Sequence, residues 1–117
     1  MSREIFVQDL PRGITSVAEI PDDFRPRIIG ARSEIIATIQ DMVPAADFSD
    51  PAWGKLIEPT VYDIEVNLGS TEEIRSFAFH VSGGIEADVL IGRILRKLEL
   101  RALDPSSETG IFEMRDV

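Results

Sequence analysis

Two stretches of alternating hydrophobicity, residues 61–68 (VYDIEVNL) and 74–81 (IRSFAFHV), lie five residues apart and run almost directly into a helical stripe. No other feature constrains the fold as much. In the first, Tyr62, Ile64, Val66 and Leu68 alternate with Val61, Asp63, Glu65 and Asn67. In the second, Phe77, Phe79 and Val81 oppose Ser76, Ala78 and His80. A period of two marks half-buried strands, and Gly69-Ser70-Thr71-Glu72 supplies a turn, so the pair is expected to form an antiparallel hairpin with one apolar and one polar face. Residues 85–98 then set Ala87, Leu90, Ile91, Ile94, Leu95 and Leu98 on one stripe, with Glu86, Arg93, Arg96 and Lys97 elsewhere. This amphipathic helix is expected to cover the apolar face.

The remaining elements fit around that unit. Residues 4–10 alternate Ile5 and Val7 with Phe6 and Gln8 before Pro11, which reads as a short first strand. Residues 11–30 are rich in Pro and Gly. Ser16-Val17-Ala18-Glu19 has the capping-box pattern of one helical turn, and Ile20 and Phe24 are expected to pin the segment down as a strap. A first helix over 31–43 buries Ile35, Ile36, Ile39 and Met42 and stops at Pro44. Asp50-Pro51 is a helix-start signal, expected to give a single turn that carries Trp53 toward the fold. A strand over 55–58 ends at Pro59, which makes it short or places it at an edge. A last strand over 100–104 turns at Pro105, and residues 111–114 continue or pair with it.

The expectation is a single domain over 1–117 of the α+β class, a two-layer sandwich with two helices on one face of a mostly antiparallel sheet, in the order β-α-β-β-β-α-β. The other sheet face would then display Asp63, Glu65, Asn67, Ser76, Ala78 and His80, because a slip of one residue would exchange the faces and the apolar set must be inside.

Composition narrows the function classes. The chain has no cysteine, which excludes disulfides, thiolate metal sites and a cysteine nucleophile, and makes a reducing cytoplasm the default. The N-terminal residues lack the pattern of a signal peptide, and no segment approaches the ~20 apolar residues of a membrane span. A formal charge of −9 repels nucleic-acid backbones and anionic lipids and favours encounter with a basic protein. Neither a nucleic-acid nor a membrane partner is expected.

His80, the single histidine, sits on the polar face, and a carboxylate from Glu65 or Asp63 on the neighbouring strand could orient its imidazole as a general base. The plainer alternative is a surface histidine, since no nucleophile stands at a motif position. One histidine with scattered carboxylates offers no metal-ligand spacing, and Asp47-Phe48-Ser49-Asp50 lacks the glycine and terminal glutamate of a calcium loop; no metal and no cofactor are expected. Ser82-Gly83-Gly84 precedes a helix but lacks the spacing of a phosphate loop, and Glu86 in the first turn opposes an anion there.

The segments ADFSDPAWG, NLGS, FHVSGG and RALD followed by TGIFE resemble a set of small, uncharacterised bacterial single-domain proteins of similar length, over most of the chain. The resemblance implies a stand-alone bacterial domain and carries no activity. Glu99 departs from it, because glycine often stands there in such proteins, and the departure removes the expected glycine helix cap.

Three readings follow. The first is a non-enzymatic binding domain, of the immunity or regulatory type, which occupies a basic partner through Asp22, Asp23, Asp47, Asp50, Asp63 and Glu65. The second is a small enzyme using His80 with Glu65 or Asp63. The third is a homodimer formed through the exposed sheet face or an edge strand.

Overall fold

A computed structural model describes residues 2–113 and shows an α+β fold. Its elements are β1 (Ser2–Gln8), β2 (Gly30–Ala31), α1 (Arg32–Met42), β3 (Trp53–Glu58), β4 (Tyr62–Asn67), β5 (Glu73–Ile74), β6 (Ser76–Gly83), α2 (Ile85–Leu98) and β7 (Arg101–Leu103). Five strands form one antiparallel sheet in the order β3-β4-β6-β1-β7, and β2 pairs with β5 in a second, two-stranded sheet. The five larger-sheet strands and two helices follow the expected order β-α-β-β-β-α-β; β2 and β5 are additions to it.

Strand parity is as the alternation requires. Ile5, Val7, Leu56, Ile64, Val66, Phe77, Phe79, Val81 and Ala102 are buried on one face of the sheet, in the same cluster as Ile35 and Ile39 of α1 and Ala87, Ile91, Ile94 and Leu95 of α2. Each large side chain buried there contributes roughly 1.5–3 kcal/mol. Both helices therefore lie on one face. A smaller cluster of Leu10, Ile14 and Ile111, joined by Ile20 and Leu103, ties the 11–30 strap to the β7 side. Ile20 pins the strap as expected, and Phe24 is half-buried. Within the strap Ser16 and Glu19 form the full capping box around one 3-10 turn.

Several local expectations are corrected. Pro59 ends β3 as expected and lies in the tight turn of the β3–β4 hairpin, where the Val61 N–H donates to the Glu58 carbonyl at 3.0 Å. β3 is an edge strand, longer than expected, and begins at Trp53. Asp50-Pro51 starts a turn and not a helical turn: the Asp50 carboxylate accepts from Ala52 N–H at 3.0 Å, and its carbonyl accepts from Trp53 N–H at 3.0 Å. Phe48, not Trp53, packs against the core. At the C-terminal side Ile111 bridges Leu103 and Phe112 N–H donates to Ala102, so this segment pairs with β7; Met114, included in the expected strand, lies outside the described residues.

Candidate functional site

The sheet face turned away from the helices can be read row by row from the strand register. Lys55, Glu65, His80 and Glu4 form one row across β3, β4, β6 and β1. Trp53, Asn67, Ala78, Phe6 and Leu103 form the neighbouring row, which continues onto β7. Ile57, Asp63, Ser82 and Ser2 form a third, on the other side of the first. Three carboxylates, Glu4, Asp63 and Glu65, thus share these rows with a single permanent cation, Lys55.

His80 is the centre of the first row, with Glu65 directly opposite on one side and Glu4 on the other. Its Nδ1 lies 3.2 Å from a Glu4 carboxylate oxygen, and its ring stacks on that of Trp53 with centroids 5.2 Å apart at 29°. Glu65 accepts a hydrogen bond from the Trp53 indole N–H. The expected partners of His80 are therefore corrected. Glu65 is adjacent but bonded to Trp53, while Asp63 is exposed one row away, opposite Ser82. Glu4 holds the imidazole, and it is contributed by the strand on the other side. An imidazole bridged to one exposed carboxylate and stacked on an indole is oriented, but among the described residues no serine or threonine hydroxyl bonds to it.

The second row gives the face its apolar part. Ala78 is small and stands between Asn67 and Phe6, so the sheet surface dips there into a hollow of about 400 Å³ lined by Phe6, Gln8, Asn67, Ser76, Ala78 and Leu103 among others. Phe6 is 37% exposed and Ile57, in the third row, 51%. The two are on separate strands and rows, so the apolar part of the face is the Phe6–Ala78–Leu103 hollow and not a patch that reaches Ile57.

The other acidic residues are not gathered here. Asp47 bridges Lys55 at the β3 edge, and its carboxylate accepts from the Ser49 hydroxyl and from Ser49 N–H at 2.9 Å, bonds that hold it below the usual carboxylate range. Asp50 closes the next turn, while Asp22 and Asp23 are exposed on the strap. The six residues expected to act as one patch thus divide. Asp63 and Glu65 belong to the open face, Asp47 and Asp50 are engaged in turns, and Asp22 and Asp23 stand on a separate segment.

A second charged cluster escapes sequence reading altogether. Arg3, on the core-facing parity of β1, pairs with Asp88 of α2 and with the buried Asp104 at 3.1 Å, and Asp104 also accepts from the Ser106 hydroxyl at 2.6 Å and N–H at 2.9 Å. These bonds join β1, α2 and the loop after β7, which is a structural role. Among the described residues no group of three or more His, Asp or Glu side chains is placed to hold a metal ion, and no helix is long and apolar enough to cross a membrane. Of the two glycines before α2, Gly83 has a packing reason: at φ 147°, a Cβ there would sit 2.9 Å from Tyr62 Cβ on the adjacent strand.

Comparisons with protein-family models, with curated proteins and with solved structures returned no match for this chain.

Proposed function

We propose that the chain is a non-enzymatic binding domain that takes a basic protein partner on the open face of its five-stranded sheet, as an immunity or regulatory protein occupies its target. The observation that carries this reading is the pairing, on one bare face, of an apolar row around Phe6 and Ala78 with carboxylates at Glu4, Asp63 and Glu65. Interfaces take their affinity from a desolvated apolar centre and their encounter rate from complementary charge around it. The chain's net charge of −9 acts in the same direction, and its lack of cysteine suits a reducing cytoplasm.

The test uses the immobilised protein in a lysate of the organism that encodes it, at low salt, followed by purification of whatever is retained. The expected result is a basic protein whose affinity falls as salt rises and falls at least ~10-fold for Phe6→Glu and for the triple variant Glu4→Gln, Asp63→Asn, Glu65→Gln. Equal binding to wild type and both variants, or no retained basic protein, removes the reading.

A further inference from the structure

The two adjacent rows of the open face specify more than a charge. This step rests on the docking surface proposed above and concerns what the partner presents to it. Along β6, Ala78 and His80 are two residues apart on the same face, so the floor of the apolar hollow and the centre of the acidic row lie about 7 Å apart. Glu65 and Glu4 flank His80 on neighbouring strands, which places their backbone positions about 10 Å apart, one strand spacing on each side. Among the described residues each carboxylate has one bond, Glu65 to the Trp53 indole and Glu4 to His80. An ionised carboxylate offers about four acceptor positions, so each retains capacity for an outside donor.

A planar guanidinium has donors on both edges and spans such a gap in a way the compact ammonium of lysine does not. The Trp53 indole, stacked on His80 through one face, leaves its other face as the aromatic surface beside it. The hollow next to it is lined by Phe6, Ala78 and Leu103 and takes a side chain without charge. In an extended peptide, side chains on one face recur every two residues, about 7 Å apart, which is the spacing of the two rows.

We infer that the open face recognises an extended partner segment carrying an apolar residue and an arginine two positions apart, the apolar side chain in the Phe6–Ala78–Leu103 hollow and the guanidinium over His80 between Glu4 and Glu65. Selection of a phage-displayed library of random linear peptides against the whole protein, with a parallel selection against Phe6→Glu, tests this. The expected result is enrichment of peptides with an apolar residue and an arginine at that spacing. Synthetic versions should bind wild type, lose at least ~10-fold in affinity when their arginine becomes glutamine, and lose a similar factor on the Glu4→Gln, Glu65→Gln variant. Peptides that depend on Phe6 but carry no arginine overturn this inference and leave the docking surface standing. Enriched peptides indifferent to Phe6→Glu overturn both, and no enrichment overturns this inference alone.

Discussion

Glu99 closes α2 at φ 57° and ψ 42°, a left-handed conformation in which its own N–H and that of Leu100 return to the last turn of the helix. The cap geometry that glycine usually supplies is thus present, with a glutamate bearing its cost. Thr60, at φ 65° in the β3–β4 turn, is held in the same region despite a branched Cβ. A side chain in this conformation costs ~1–2 kcal/mol, so Glu99→Gly and Thr60→Gly should each stabilise the protein by about 1 kcal/mol in urea denaturation, after the entropy glycine adds to the unfolded chain. No gain at either position would mean that the turn is held by something other than backbone geometry. Gly54 is the converse case. The ring of Phe48 lies where its Cβ would be, so Gly54→Ala should destabilise by ~1–3 kcal/mol, and Phe48→Leu in the same chain should recover part of that loss.

At the level of elements, the strand and helix faces make sharp demands. Ile64→Ala, Phe79→Ala and Ile94→Ala each open a cavity at a fully buried site and should cost ~2–5 kcal/mol, whereas Glu65→Ala, on the other side of β4, should cost well under 1 kcal/mol. A comparable loss at Glu65 would reverse the parity of β4. The start of α1 makes a different demand. Ala31 has no side-chain cap to offer, and Glu72, just before β5, supplies one by accepting from the Ser33 hydroxyl at 2.6 Å and from Ser33 N–H at 3.2 Å. The Ser33 hydroxyl, foremost, holds the Glu72 carboxyl below its ordinary value, and the Thr15 and Ser16 N–H groups do the same for Glu19. A carboxyl with a depressed folded value contributes stability that is fully present above its unfolded value and is lost as the pH falls through the folded one. The urea midpoint should therefore drop progressively below about pH 4, and Glu72→Gln should flatten part of that drop; an unchanged profile would show that the Glu72 bonds to Ser33 do not form in solution. These elements also show what a sequence discloses. β4, β6 and α2 were legible because eight or more residues repeated with a period of two or 3.6, and burial forces that pattern on the chain. β2 and β5 have two residues each, too few to show any period. The join of Glu4 to His80 spans 76 positions of sequence and depends on β1 inserting between β6 and β7, a pairing that no local pattern encodes. His80 was therefore found as a candidate while Glu4 and Trp53, its actual neighbours, were not.

At the scale of the whole molecule, both helices and the main core lie on one side of a five-stranded sheet, and among the described residues the strap ties down the β7 end of the other side. The open face is what makes a binding function physically reasonable, and it is also where a second copy of the chain would have to sit if the sheet dimerised. Three alanines report on it directly by NMR in the presence of a soluble paramagnetic agent. Ala87 and Ala102 are at most 1% exposed inside the core, whereas Ala78 floors the hollow on the open face. The Ala78 methyl should relax strongly with added agent while those of Ala87 and Ala102 stay protected, with the same contrast in dilute and concentrated protein. An Ala78 methyl as protected as that of Ala102, at any concentration, would show that this face is already covered and would contradict the docking role proposed for it.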